Sequence, residues 1–306
     1  MGGRISRRIA DAGHSIVGFD TDPVRARQAG IPAAESLSAL VEETDVVLLS
    51  LPDSRVIEPV VRGEGGILQS CRAGQIVVDL STAAPSSTVA LHAELAAHGV
   101  ELVDAGISGG AAAAEQGTLT IMAGGSEEAL ETVRPLLETF SSRIYHLGAP
   151  GAGHTAKLLN NFLNGVSLAA TSEVMIAARK AGLDLRTLLD VLNSSSGVNF
   201  ATQNRFPAIV EGDYLEGGLT SDLMAKDLML YLDLVRELGV TSLNGPPCLA
   251  AFHLAGALGY GEQISNRVVD ALGDIAGGVR IHDEPLVERL DADRPFSSAG
   301  PEAPRR

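Results

Sequence analysis

Up to about residue 147, short β-branched and apolar runs alternate with amphipathic stretches, whose apolar positions recur at helical spacing. The runs are residues 15–20, 46–51, 75–80, 101–104, 119–123 and 143–146; the clearest helical stretches between them are 23–29, 54–61, 85–98 and 127–140. This alternation predicts a parallel sheet covered by helices. After Gly151 the strand-like runs stop, and one long helix is predicted over residues 151–181 with Gly182 as its stop signal. Further helices are expected over 185–192, 223–238 and 247–258, and the Pro-, Ser- and charge-rich stretch after Glu284 has little to bury. The predicted organisation is an α/β domain over 1–149, an all-helical domain over 150–283 opened by the long interdomain helix, and a loose tail over 284–306. A chain of 306 residues exceeds what one hydrophobic core usually serves, which agrees with two domains.

Composition adds that the core is built from small and aliphatic side chains. Trp is absent and aromatics are 4 %, while hydrophobic residues make up 45 %, so helices are expected to pack closely through small residues. A net charge of −15 with no basic patch disfavours nucleic acid and anionic membrane as partners. No run of about 18 apolar residues occurs, so a cytoplasmic protein is expected. Cys71 and Cys248 stand in no metal or redox spacing and are read as buried free thiols. The seven histidines are dispersed, and no metal motif is present.

A dinucleotide-binding fold opens with a buried strand, a G-x-G-x-x-G turn and a helix whose N-terminus receives the pyrophosphate. The segment from Met1 to His14 reads as that helix and its exit, so only the last glycine of the fingerprint, Gly2, is present. Gly2-Gly3 alone equally suits a flexible N-terminus. The next run ends in Asp20, where a carboxylate accepts ribose hydroxyls and repels a 2′-phosphate. NAD is therefore expected over NADP, with Arg25 and Arg27 near enough to keep NADP possible. Asp22, ahead of Pro23, suits a helix cap. Leu51-Pro52 makes a rigid turn that either packs against the cofactor or merely ends a strand. The native product is expected to begin about ten residues upstream, because the missing strand is central in such sheets.

Three segments resemble signatures of the β-hydroxyacid dehydrogenases. Asp104-Ala105-Gly106-Ile107-Ser108-Gly109-Gly110 with Gly117-Thr118-Leu119-Thr120-Ile121-Met122 resembles the family's substrate segment; Gly151-Ala152-Gly153-His154-Thr155-Ala156-Lys157-Leu158-Leu159-Asn160-Asn161 resembles its catalytic segment; Lys226-Asp227 resembles a cofactor-side motif. The resemblance implies a Rossmann-like domain followed by an all-α domain. It also implies a homodimer or homotetramer, and hydride transfer between NAD(P) and a small anionic β-hydroxyacid or its semialdehyde. On the same ground Lys157 is the catalytic acid/base, and Asn161 with Ser108, Gly109 and Gly110 binds substrate. Gly2, Asp20, Leu51, Pro52, Thr82 and Lys226 lie along the cofactor. Gly106 and Leu219 depart from the family's usual proline and phenylalanine.

The residues themselves support this without the resemblance. Ser108-Gly109-Gly110 offers a hydroxyl and unshielded backbone N–H groups to a carboxylate, although a plain glycine turn has the same sequence. Lys157 and Asn161 are four apart and share a helix face. A lone helical lysine is usually solvated; one near a helix N-terminus in an apolar stretch has its pKa lowered and can exchange a proton with a hydroxyl. His154, near the proposed site, is expected on the helix surface, with contact to the substrate as the alternative, and Asn160 is expected to be structural because it points about 100° away from Asn161. The competing readings are an imine reductase, which usually carries another proton donor, and a non-catalytic dinucleotide-binding or oligomeric scaffold.

Overall fold

The computed structural model describes residues 1–282, so the tail expected over 284–306 lies outside the described residues. Helix α1 (Gly2–Asp11) buries Ile5 and Ile9, one turn apart, against the sheet. Asp22 and Ser36 cap the next two helices, α2 (Pro23–Gln28) and α3 (Leu37–Glu43), through the N–H groups of Val24 and Ala39. The sheet and its covering helices follow in the order β1 (Val46–Leu49), α4 (Ser54–Arg62), α5 (Ile67–Ser70), β2 (Ile76–Asp79), α6 (Pro85–Ala96) and β3 (Glu101–Ser108). They continue through α7 (Gly110–Gln116), β4 (Leu119–Gly124), α8 (Glu127–Leu137) and β5 (Ser141–His146).

Five strands lie in the order β1-β2-β3-β4-β5, with Leu48 opposite Val78 and Val78 opposite Val103. All four residues of β2 are buried because both sheet faces are covered. Val77 and Leu102 pack with Ile57, Leu91 and Leu95 on one face; Val78 and Val103 pack with Ile5, Ile9 and Leu130 on the other.

Two sheet features differ from expectation. The β3–β4 pair is antiparallel, because the link from Ser108 to Leu119 is too short for a parallel crossover. Residues 15–20 form no strand: only Gly18 bridges Ala33, and among the described residues nothing pairs with the outer edge of β1. An extended segment becomes a strand only through a ladder partner.

From α9 (Ala152–Lys180), a single helix of 29 residues, the chain is helical: α10 (Leu185–Asn193), α11 (Phe200–Asn204), α12 (Phe206–Ile209), α13 (Ser221–Glu237), α14 (Gly245–Ala255) and α15 (Val268–Ile275). Its core gathers Leu168, Met175, Phe206, Met224, Leu228, Phe252 and Val268. Small residues set the close approach, as expected from composition: a Cβ at Gly165 would lie 3.2 Å from the Cys248 sulfur and 3.4 Å from Leu228. Cys248 is buried and Cys71 half-buried, and both are free. No described helix is long and apolar enough to cross a membrane.

Candidate functional site

Helix α9 is seated against the sheet by a buried carboxylate and two glycines. Asp104 of β3 is fully buried and accepts from the Gly151 and His154 N–H groups, each at 2.8 Å, thereby capping α9 from a distant strand. A side chain at Gly153 would collide with the carbonyl oxygens of Met122 and Asp104, and a Cβ at Gly106 would lie 2.7 Å from the Lys157 Cβ. Gly106, within β3, therefore makes room for the lysine stem.

These contacts fix a level-by-level match between α9 and β3. Gly153 lies against Asp104 and Lys157 against Gly106. Asn161 is the next residue of α9 on the Lys157 face, and Ser108 the next residue of β3 on the Gly106 face. Ser108 ends β3 on the same sheet face as Gly106, and Gly109 and Gly110 turn the chain into α7 with φ of 129° and 74°, which side-chain-bearing residues rarely adopt.

Helix α13 completes the polar row. Phe162 stacks on Tyr231 with ring centroids 3.9 Å apart, which sets the register of α9 against α13. One turn before Tyr231, buried Asp227 accepts from Asn161 Nδ2 at 2.5 Å and pairs with Lys226 Nζ at 2.8 Å. That bond turns the Asn161 amide so that Oδ1 faces Lys157 Nζ, which donates to it at 3.0 Å. Asn160 is exposed and donates to the same oxygen at 3.2 Å. The Lys157 pKa falls to about 8, chiefly because protein surrounds the amine; Asp227 opposes the shift and Lys226 adds to it. Burial thus acts as expected, and the charge of Lys226 lowers the value further.

On the cofactor side, Lys226 Nζ donates to the carbonyl oxygens of Pro52 at 2.8 Å and Thr82 at 3.0 Å, so it ties α13 to the loops after β1 and β2. Leu51 N–H donates to Ser81 Oγ at 2.9 Å, joining the same two loops. Gly2 starts α1 beside the end of β1, where a Cβ would lie 3.4 Å from that of Ser50, and no side chain caps the helix. Asp20 is exposed and accepts from Asp22 N–H at 2.8 Å. A cleft of about 580 Å³ opens beside it, lined by Phe19, Thr21, Arg55, Val56 and Pro59 among others. An uncapped helix N-terminus, an exposed carboxylate and a part-apolar cleft at the strand ends suit a dinucleotide. Lys157, Asn161 and Lys226, with Pro52 and Thr82, are joined in one bonded row through Asp227; Gly2 and Asp20 lie outside it.

Three polar residues were missed or misjudged from sequence. His154, expected on the helix surface, is fully buried: its Nδ1 lies 2.7 Å from Thr88 Oγ1 and its Nε2 3.9 Å from Asp79 Oδ2. The error has a simple cause, since α9 is covered by α6 and the sheet on that side. Asp104 and Asp227 were given no role. A carboxylate inside the apolar strand run Leu102-Val103-Asp104-Ala105 was a usable signal, because a buried charge must be partnered. Leu219, half-buried, packs against the helical core.

Known proteins match along both halves. The family model described as the NAD binding domain of 6-phosphogluconate dehydrogenase matches residues 1–148. The one described as NAD-binding of NADP-dependent 3-hydroxyisobutyrate dehydrogenase matches residues 151–272. The NAD-dependent L-serine dehydrogenase of Pseudomonas aeruginosa is 36 % identical over 86 % of this chain and 91 % of its own. The 2-(hydroxymethyl)glutarate dehydrogenase of Eubacterium barkeri is 34 % identical over 81 % and 82 %. The Mycobacterium tuberculosis 3-hydroxyisobutyrate dehydrogenase, solved with L-serine, superposes with a TM-score of 0.79 at 30 % identity, covering 89 % of this chain and 95 % of that one. With matches above 30 % identity along most of both partners, the chain belongs to the β-hydroxyacid dehydrogenase family, NAD(P)-dependent oxidoreductases of small hydroxyacids.

Proposed function

We propose that the chain oxidises a small β-hydroxyacid to its semialdehyde, or runs the reverse reduction, with Lys157 moving the hydroxyl proton. The observation that carries this is the Lys157 amine, held 3.0 Å from Asn161 Oδ1 with its pKa lowered to about 8. A lysine at its ordinary value stays protonated at neutral pH; near 8 it takes a proton in one direction and returns it in the other. The second N–H of Asn161 Nδ2 donates to the substrate hydroxyl oxygen, whose proton goes to Lys157, while the Ser108 hydroxyl and the Gly109 and Gly110 N–H groups hold the carboxylate. The nicotinamide, when bound, supplies the hydride acceptor or donor. Lys226 keeps the Pro52 and Thr82 loops in place beside it, and Gly2, Asp20 and Leu51 hold the rest of the dinucleotide, with Asp20 favouring NAD.

The domain division at 149/150 is part of the same reading. So is a homodimer or homotetramer, supported by the exposed Leu159, Leu163 and Val174 along α9. Lys157→Ala is expected to lower turnover by about 10²-fold or more while NAD binding, read by calorimetric titration, stays near wild type. Lys157→Arg does not rescue it, since arginine keeps its proton. Near-native turnover of Lys157→Ala on a panel of 3-hydroxyacids would overturn the assignment.

A further inference from the structure

The arginines of the helical domain that reach inward are partnered unequally. Arg267 lies 2.9 Å from Asp270 and Arg280 2.6 Å from Asp274. Arg205, at the junction of α11 and α12, has no carboxylate partner among the described residues. Its guanidinium donates to two neutral oxygens, Asn266 Oδ1 at 2.6 Å and Asn164 Oδ1 at 3.0 Å, and sits 5.7 Å from the Phe200 ring centroid. Burial draws its pKa down to about 10, which still leaves it cationic at neutral pH. A largely desolvated cation without a counter-charge is costly, and a guanidinium has five N–H groups in a fork that matches a carboxylate.

Its location gives the charge a use. Asn164 follows Asn161 by three residues and Lys157 by seven, so Lys157 and Asn164 differ by only about 20° around α9. The Lys157 amine leans one turn toward Asn161, and Arg205 is bonded to the next polar residue on that face. Lys157, Asn161, Asn164 and Arg205 therefore make one polar row leading from the proton-transfer amine into the helical domain. Asn161, which holds the amine, and Asn164, which holds the guanidinium, are about 4.5 Å apart along the axis of α9. That distance suits a carboxylate carried two or three carbons beyond the reacting centre.

We infer that Arg205 anchors a second anionic group of the substrate, so that the chain prefers β-hydroxyacids whose α-substituent ends in a carboxylate. The inference rests on the dehydrogenase reading for the placement of the first carboxylate and the hydroxyl, and it adds Arg205, with Asn164 beside it, as the determinant of specificity.

The test compares 2-(hydroxymethyl)glutarate with 3-hydroxyisobutyrate, which share the carbinol and the first carboxylate and differ in carrying a carboxyethyl or a methyl substituent. The wild-type chain with NAD is expected to favour the dicarboxylate by about 10- to 100-fold in kcat/KM. Arg205→Gln is expected to remove that preference mainly through KM, with the monocarboxylate little affected, and Arg205→Lys to keep part of it. Equal wild-type efficiency on the two, or an equal loss on both in Arg205→Gln, overturns the inference and leaves Arg205 as a structural pin between α9 and the Asn266 loop. Calorimetric titration of the NAD-loaded protein with unreactive glutarate and butyrate separates the two readings. Arg205-dependent glutarate binding without turnover of either hydroxyacid keeps the anion subsite and sinks the dehydrogenase assignment. Turnover of 3-hydroxyisobutyrate without preference for either dicarboxylate does the reverse. Should Arg205→Gln fail to fold, the wild-type preference and Arg205→Lys decide.

Discussion

Carboxylates stand both beside the first turns of α9, on β3 and α13, and in the segment around α2, and they are held in opposite ways. At α9, Asp104 and Asp227 are buried, and each is bonded to a residue at least 47 positions away. Around α2, Asp20 and Asp22 accept from N–H groups two residues ahead, and Asp20 is exposed. The proton-transfer end is thus built by tertiary contacts that leave its side chains one arrangement. The ribose end is held by local turns, so its side chains can change without disturbing the sheet. On the proposed reading, exchanging cofactor specificity is a surface matter, whereas altering the proton path means altering packing.

The comparison breaks first on stability. Asp104→Ala leaves two buried N–H groups of α9 unpartnered and is expected to cost about 2–4 kcal/mol, against about 1 kcal/mol or less for Asp22→Ala, which removes an ordinary helix cap. Urea denaturation of both variants measures this, and equal costs would dissolve the contrast. The proton-transfer end is next examined through pH. Neutral Lys157 accepts the hydroxyl proton, so kcat/KM for oxidation should rise as pH increases through about 8, and that for reduction should fall over the same range. Asp227→Asn removes an attraction that favours the cation and moves the midpoint down; Lys226→Met removes a repulsion and moves it up. Pre-steady-state hydride transfer followed from pH 6 to 10 reads both shifts, and midpoints that do not move would detach Lys157 from these neighbours. The smallest effect belongs to Asp20→Ser, expected to raise the NADP-to-NAD efficiency ratio about tenfold and leave the melting curve unchanged. A large drop in melting temperature would show that Asp20 is structurally bound after all.

Much of this was legible before any coordinates, and particular residues show why. Ile5 and Ile9 carry the helical period of α1, and the loss of strand patterning after His146 marks the change to helices. Lys157 and Asn161 are a local pair whose shared face follows from a spacing of four. Other features had no local signature. Residues 15–20 have the composition of a strand, but strand formation depends on a neighbour. His154 occupies an ordinary helical position, and only the packing of α6 and the sheet makes it interior. Arg205 is unremarkable in sequence, since the want of a counter-charge is a property of what surrounds it.

Sequence by itself determined the alternation of strands and helices, the single long helix, the family motifs and the pairing of Lys157 with Asn161, because periodicity and short spacings act over one or two turns of chain. Tertiary structure alone decided that a β3 carboxylate caps α9, that Asp227 orients Asn161, and that Lys226 clasps the Pro52 and Thr82 loops. Each of these joins groups from 47 to 174 residues apart. Such contacts join groups that no local spacing relates, and they form only when packing brings distant elements together.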